Sequence, residues 1–385
     1  RFAETICPYP VCSPSRGSIF TGRMPHETGV RVNGKAIVPG MATMGEVFRK
    51  AGYQTVYGGK WHLPKSFDGM TSFEKLIGGS GQGKDMDEPL AATCAEWLRR
   101  RPSGPFLMVA SFMNPHDICQ WIRDHPGAHE YPDIGQYPPA PGNMAFDPLE
   151  PEAMQYHRTA GYDLMSKGVG IAQEWRRDDF RHYLHGYYRM VEAVDAQVGR
   201  VLSALRESGL AQNTVVCFAS DHGEGMGAHR WVQKASFYEE SVRVPFLWSG
   251  PGIASQPRVD RSTLATLADI LPTFCEFAGI DAPPDQRGRS LLPVLQGKAV
   301  ERQFVVSELL YGDQSREGRM LRTARHKYAV FNNGARPEMF FDLSVDPGET
   351  QNLARSAGHA GLLGEHRALL RRWIAETADD FRMPV

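Results

Sequence analysis

Three short apolar runs each end in a polar cluster, and this repeated pairing is what most narrows the fold. Tyr53–Tyr57 leads into Gly58-Gly59-Lys60-Trp61-His62, Pro105–Phe112 into Asn114-Pro115-His116-Asp117, and Thr214–Ala219 into Ser220-Asp221-His222-Gly223-Glu224. Helical patterns lie between them: one capped by Thr43 and ending before Gly52, one over Leu90–Arg101, and a long one over Asp179–Ser208 closed by Gly209. Strands that alternate with helices build an α/β sheet protein. In open α/β sheets ligands bind beyond the carboxyl ends of the strands, so the three clusters are predicted to meet in one crevice.

The long helix carries Phe180, Tyr183, Tyr187, Met190, Val191, Val194, Val198, Val201 and Leu205 at three- and four-residue steps, a stripe read as core. Val244–Trp248 reads as a further strand and Leu264–Ala278 as a helix interrupted near Pro272. Gln120–Gly170, rich in Pro, Tyr and His, reads as a long irregular excursion of the kind that carries function. The pattern changes after Pro293–Arg302. Phe304–Leu310, Met320–Thr323, Lys327–Phe331 and Met339–Leu343 are short strands, and a helix over Gly361–Thr377 follows. The expected fold is α/β, a large mixed sheet flanked by helices (residues 1–297), followed by a smaller antiparallel sheet with a helix (298–385). No opening strand is evident after Arg1.

Charge and cysteine content exclude some partners. Lys plus Arg number 43 and Asp plus Glu 44, so no overall field favours nucleic acid or an anionic membrane. The longest apolar run, Phe106–Met113, is far too short to span a bilayer, so no integral membrane segment is expected. Six cysteines are too few for a disulfide framework at 385 residues, and without a close Cys-x-x-Cys pair a Cys/His zinc site is unsupported.

A fourth cluster, Cys12-Ser13-Pro14-Ser15-Arg16 with Thr21-Gly22-Arg23 beyond it, reads as a helix with Pro14 in its first turn and Gly22 at its end. Cys12 would then sit where free N–H groups favour an anion, with Arg16 one turn on to share it. Lys60 and His62 alternate on an extended segment, so both can point one way. Lys234 follows His222 by twelve residues. Together these residues offer a carboxylate and imidazoles for a metal, cations for an oxyanion, and a nucleophile. His229 reads as either a pocket residue or a solvated loop histidine. Trp121, Tyr131 and Tyr137 could form a stacking wall for a sugar or aryl group.

Cys12-x-Pro14-Ser15-Arg16 with Thr21-Gly22 resembles the signature of the type I sulfatases of the alkaline-phosphatase-like superfamily. Gly59-Lys60-Trp61-His62, Pro115-His116-Asp117, Ser220–Glu224, Tyr238–Pro245 and Phe341–Leu353 resemble further family blocks in order, so the likeness covers nearly the whole chain. It implies that a separate formylglycine-generating maturation enzyme converts Cys12 to formylglycine, whose hydrated form is a geminal diol. A divalent metal, with Arg16 and Lys60, would stabilise an oxyanion on that diol. The oxygen would attack the sulfur of a small-molecule or carbohydrate sulfate ester, and His62 as base would release the sulfate. His116 and Lys234 would bind sulfate oxygens or protonate the leaving oxygen, the two roles being undivided.

Asp221 and His222 match the family's metal pair, with Cys12 as the third metal contact. Oxygen ligands favour Ca²⁺ or Mg²⁺, and the imidazole admits Mn²⁺; Ca²⁺ is the first expectation. The family's opening strand, which ends in an Asp-Asp pair, has no counterpart before Arg1, and the chain reads as truncated there. The likeness favours a periplasmic or secreted location. The runner-up reading is a phosphonate monoester or phosphodiester hydrolase of the same superfamily, and the non-enzymatic one a truncated or non-catalytic binding protein.

Overall fold

The structure is a computed structural model that describes every residue except 64–71, 79–80, 127–133, 161–163, 312–314 and 385; for 164–166 it describes the backbone alone. Its described strands are β1 (Phe2–Ile6), β2 (Gln54–Gly59), β3 (Glu74–Ile77), β4 (Phe106–Ser111), β5 (Val216–Ala219), β6 (Phe246–Ser249), β7 (Asp260–Thr266), β8 (Val305–Leu310), β9 (Glu317–Arg322), β10 (His326–Phe331) and β11 (Glu338–Asp342). They form a parallel sheet in the order β3-β2-β4, a mixed sheet β5-β6-β1-β7 and an antiparallel sheet β11-β10-β9-β8. This is the expected α/β architecture with a C-terminal antiparallel sheet and a closing helix, Ala360–Thr377.

β2 and β4 run parallel in unbroken register from Gln54↔Phe106 to Gly59↔Ser111, so the residues that follow them, from Lys60 and from Phe112, leave the sheet at one end. β4 and β5 are edge strands of their respective sheets. Both pack on the same helix pair, Gly83–Arg99 and Arg177–Glu207, through Leu98, Ala204, Leu205, Phe106, Met108 and Val216. The ends of β2, β4 and β5 therefore open on one cleft.

Several expectations are corrected. The chain does open on a strand: β1 pairs parallel with β7 and antiparallel with β6. Its apolar pattern is hidden by Glu4, whose charge is met by Arg322 at 2.9 Å. The helix expected over Leu264–Ala278 begins only at Ile270, because 264–266 belong to β7. Asp269 breaks the two apart, accepting from the Thr266 N–H at 2.9 Å, and Pro272 falls in the first turn of the helix, where its missing N–H costs nothing. The excursion 120–170 is less irregular than expected, with helices Ile118–Asp124, Glu152–Ala160 and Leu164–Gln173. β3 was missed because a short edge strand carrying Glu74 and Lys75 has no apolar signature.

The apolar stripe of the long helix is core only at its ends. Phe180, Tyr183 and Leu205 are buried, but Val191 in the middle is 39% exposed. That middle stretch lies between two core clusters, one around Trp175 and Tyr183 and one around Leu98 and Leu205.

The C-terminal sheet is joined to the rest by a buried ionic knot. Lys327 on β10, fully buried, lies 2.8 Å from Glu239 and 2.7 Å from Glu349, and donates to the Phe237 carbonyl at 2.7 Å. Glu349 accepts from the Glu239 N–H at 2.6 Å. Burial raises the Glu349 carboxyl to about 7; Lys327 opposes this and Glu239 adds to it. A folded-state pKa above the ordinary 4.5 means that the folded protein holds the extra proton, so this contribution is full below 4.5 and is lost as pH rises through about 7. Denaturant midpoints should therefore fall for the wild type relative to Glu349→Gln between those two pH values. A constant difference across the window would refute the linkage.

Candidate active site

Cys12 opens the helix Cys12–Thr21, entered from an extended Val11 and closed by Gly22 in the left-handed region (φ 68°). Pro14 and Gly22 thus occupy the places their chemistry predicted. Cys12 is fully buried, with its Sγ 3.1 Å from His222 Nε2 and 3.4 Å from Lys60 Nζ. If Cys12 is converted to formylglycine, Sγ marks the position of that residue's oxygens. Burial pushes the thiol pKa up, but Lys234, Lys60 and His222 pull it well below the ordinary value.

Arg16 ties the strand ends together. It donates from Nε to the Trp61 carbonyl (2.9 Å), and from its terminal nitrogens to Tyr57 Oη (2.7 Å), the Lys60 carbonyl (2.5 Å), Ser111 Oγ (2.6 Å) and Asp221 Oδ2 (3.3 Å). Ser15 Oγ donates to the Asp221 carbonyl at 2.5 Å, and Ser13 Oγ donates to the His62 carbonyl. One helix thereby fixes the ends of β2, β4 and β5. Arg16 was read as an anion partner, yet every one of its nitrogens is already engaged.

Lys60 is buried and its N–H donates to the Ser111 carbonyl at 2.9 Å. His62 departs from expectation. It is exposed, with φ 60°, and its side chain has no hydrogen-bond partner among the described residues. The left-handed turn ends the extended alternation, so Lys60 and His62 do not share a direction.

His116 sits in the loop after β4. Its pKa is pushed down to about 3 by burial, then by the charges of Lys60 and Lys234, which makes it a neutral imidazole close to both ammoniums. Lys234 is 4% exposed, 3.9 Å from Cys119 Sγ. Burial lowers its pKa, but Cys119, Cys12, Glu224 and Asp221 outweigh that and hold it well above the ordinary value.

Asp221 and His222 follow β5. His222 Nδ1 pairs with the Gly223 carbonyl at 2.7 Å, which turns Nε2 toward Cys12 and Asp221. Burial raises the Asp221 pKa and lowers that of His222, but their mutual attraction reverses both, with Lys60 and Arg16 also lowering Asp221. One donor atom each from Cys12, Asp221 and His222 lies within 4.8 Å of the others. An imidazole nitrogen aimed at an ionised carboxylate fits a divalent cation. The set holds a single carboxylate, so it supplies only part of the oxygen shell of Ca²⁺.

The lesser candidates divide. His229 is neither solvated nor in this group: it is 1% exposed and stacked on Tyr238 at 3.8 Å, and burial pushes its pKa down to about 4. Trp121 stacks on His125 and Tyr137 on His185, while Tyr131 lies outside the described residues. Tyr137 borders a cavity of about 430 Å³ with Arg177 and Arg181 that includes none of the Cys12 group. Residues missed in the sequence include Tyr57 and Ser111, which end the apolar runs beside Lys60 and Asn114. Among the described helices none is long and apolar enough to cross a membrane.

Comparison with known proteins adds a second line of evidence. Residues 1–280 match the family described as Sulfatase, and residues 227–376 match that described as N-sulphoglucosamine sulphohydrolase, C-terminal. The chain is 34% identical to the Delta 4,5-hexuronate-2-O-sulfatase of Bacteroides thetaiotaomicron, over 99% of this chain and 82% of that protein. It is 29% identical to the Ulvan-active sulfatase of Formosa agariphila, over 99% and 75% of the two chains. A solved structure of a 2-O GAG sulfatase superposes with a TM-score of 0.90 at 32% identity, covering 99% of this chain and 85% of that one.

Proposed function

Because the chain belongs to the sulfatase family, the sulfuric ester hydrolases, we propose that it removes sulfate from a sulfated carbohydrate, with a 2-O-sulfated uronate as the first substrate to try. The observation that carries this reading is the convergence of Cys12 with Lys60 and His222 at 3.4 and 3.1 Å. The substrate class rests on what the relatives are named for.

Sulfatases use a formylglycine and a divalent metal. In this reading Cys12 is the residue that the maturation enzyme converts. Asp221 and His222 would hold the metal, Ca²⁺ first and Mg²⁺ or Mn²⁺ as alternatives, and the metal would supply charge stabilisation at the nucleophilic oxygen. Lys60 and Lys234, both ammoniums in a buried cleft, bind the oxygens of the transferring sulfate where charge accumulates. His116, held neutral by burial and by their charges, donates a hydrogen bond to the ester or leaving oxygen. It becomes a proton carrier once the anionic ester offsets the two ammoniums. Arg16 orders the strand ends, and His62 is the base for release, which requires its exposed ring to turn inward.

Protein co-expressed with a maturation enzyme tests the reading. Mass spectrometry of the Cys12 peptide should show conversion to an aldehyde, and a 2-O-sulfated uronate oligosaccharide should release sulfate. Full conversion without sulfate release from any sulfated sugar or aryl sulfate would overturn it. Faster turnover of an aryl phosphonate than of the matching aryl sulfate would favour the phosphonate hydrolase. Folded protein that binds no metal and turns over neither would favour the binding protein.

A further inference from the structure

We propose that Asp87 is a positioning residue for His116, one half of a reciprocal carboxylate clasp whose other half is Asp117. The proposal rests on the reading that His116 takes part in sulfate-ester hydrolysis.

Asp117 lies in the loop that carries His116, and its two oxygens accept from the Gly83 and Lys84 N–H groups at 2.7 and 3.0 Å. These open the helix Gly83–Arg99, where N–H groups have no partner within the helix. Asp87 lies one turn further along that helix, and its two oxygens accept from the Met113 and Asn114 N–H groups at 2.7 and 3.0 Å. Each segment thus lends a carboxylate to two backbone donors of the other. The exchange is sheltered, Asp87 being 4% and Asp117 8% exposed.

The clasp brackets His116. Its N–H donates to the Met113 carbonyl at 3.1 Å, so the backbone before it hangs on a residue held by Asp87, and the residue after it is Asp117. The helix end is pressed onto the loop: a Cβ on Gly83 would lie 2.4 Å from Asn114 Cγ and 2.8 Å from Asp87 Oδ2. Asp87 has no partner in the reaction itself. It acts by fixing where the imidazole enters the cleft that also holds Lys60 and Lys234, and charge-assisted bonds to two adjacent N–H groups suit that task. An amide cannot replace it, because one of its two atoms would confront an N–H with another donor.

Asp87→Asn is the probe, assayed on the 2-O-sulfated oligosaccharide well below the midpoint temperature of each variant. A displaced catalytic group costs on the order of 10- to 100-fold, so kcat should fall by that factor with KM within about threefold. On a His116→Ala background the same substitution should cost less than about threefold, since the effect runs through that ring. In protein with ¹⁵N-labelled histidine rings, the His116 signals should shift and those of the distant His326 should not. Unchanged kcat with unchanged His116 signals would overturn the clasp, and so would an equal loss on the His116→Ala background. If Asp87→Asn fails to fold, Asp117→Asn breaks the other half and is read the same way. A wild type that releases no sulfate defeats the functional reading instead, and the ring signals alone then decide the clasp.

Discussion

Cys12→Ala is expected to reduce kcat for sulfate-ester hydrolysis by at least about 10⁴-fold, the scale on which removing a covalent nucleophile costs an enzyme. The expectation follows from position. Cys12 is fully buried at a helix start, and Lys60 and His222 are aimed at its Sγ. Its loss leaves Lys60 and Lys234 still able to bind sulfate, so substrate affinity should survive while turnover does not. Stability should change by only about 1 kcal/mol, because a small side chain is being trimmed to a smaller one. Binding of a sulfated oligosaccharide by calorimetry, set beside sulfate release, separates the two effects. A variant that keeps even a tenth of wild-type turnover would remove Cys12 from the chemistry.

The site was more legible in the sequence than the sheet was. Lys60, His116, Asp221 and His222 each follow an apolar run, and the rule that ligands sit at the carboxyl ends of strands was enough to bring them together. Periodicity failed at His62 because one left-handed residue (φ 60°) ends an extended run without any change in composition. Arg16 reads as a free cation in one dimension, since all five groups it binds lie at least 41 residues away, from Tyr57 to Asp221. Asp87 was invisible for the same reason: a carboxylate in an ordinary amphipathic helix carries no mark of the loop it holds. On the side of the fold, β1 and β3 were missed because Glu4, Glu74 and Lys75 break the apolar alternation, while ion pairing or an edge position makes those charges tolerable. Local pattern finds elements whose burial is self-contained, and misses those whose polar residues are satisfied by distant partners.

Lys327→Met is expected to be the most damaging single substitution away from the cleft, costing about 3–5 kcal/mol, the usual penalty for leaving a buried charge without its partner. Methionine fills the space of the lysine stem, so lost packing contributes little. What is lost is the ammonium that faces Glu239, Glu349 and the Phe237 carbonyl from a fully buried position. Arg322, 3.5 Å from Glu239, can offset one carboxylate but leaves Glu349 exposed to a like charge. The denaturant midpoint should fall while the slope stays unchanged. With the cation gone, both carboxyls have higher folded-state pKa values, so the folded protein holds more protons and the deficit should shrink as pH is lowered. Adding Glu349→Gln should recover part of the loss, because an amide does not carry the charge that Lys327 neutralised, and the two substitutions should therefore be non-additive. A Lys327→Met protein with an unaltered midpoint at neutral pH would mean that the knot is solvated, and that contacts other than those of Lys327 hold the C-terminal sheet to the strand-end loops of the active site.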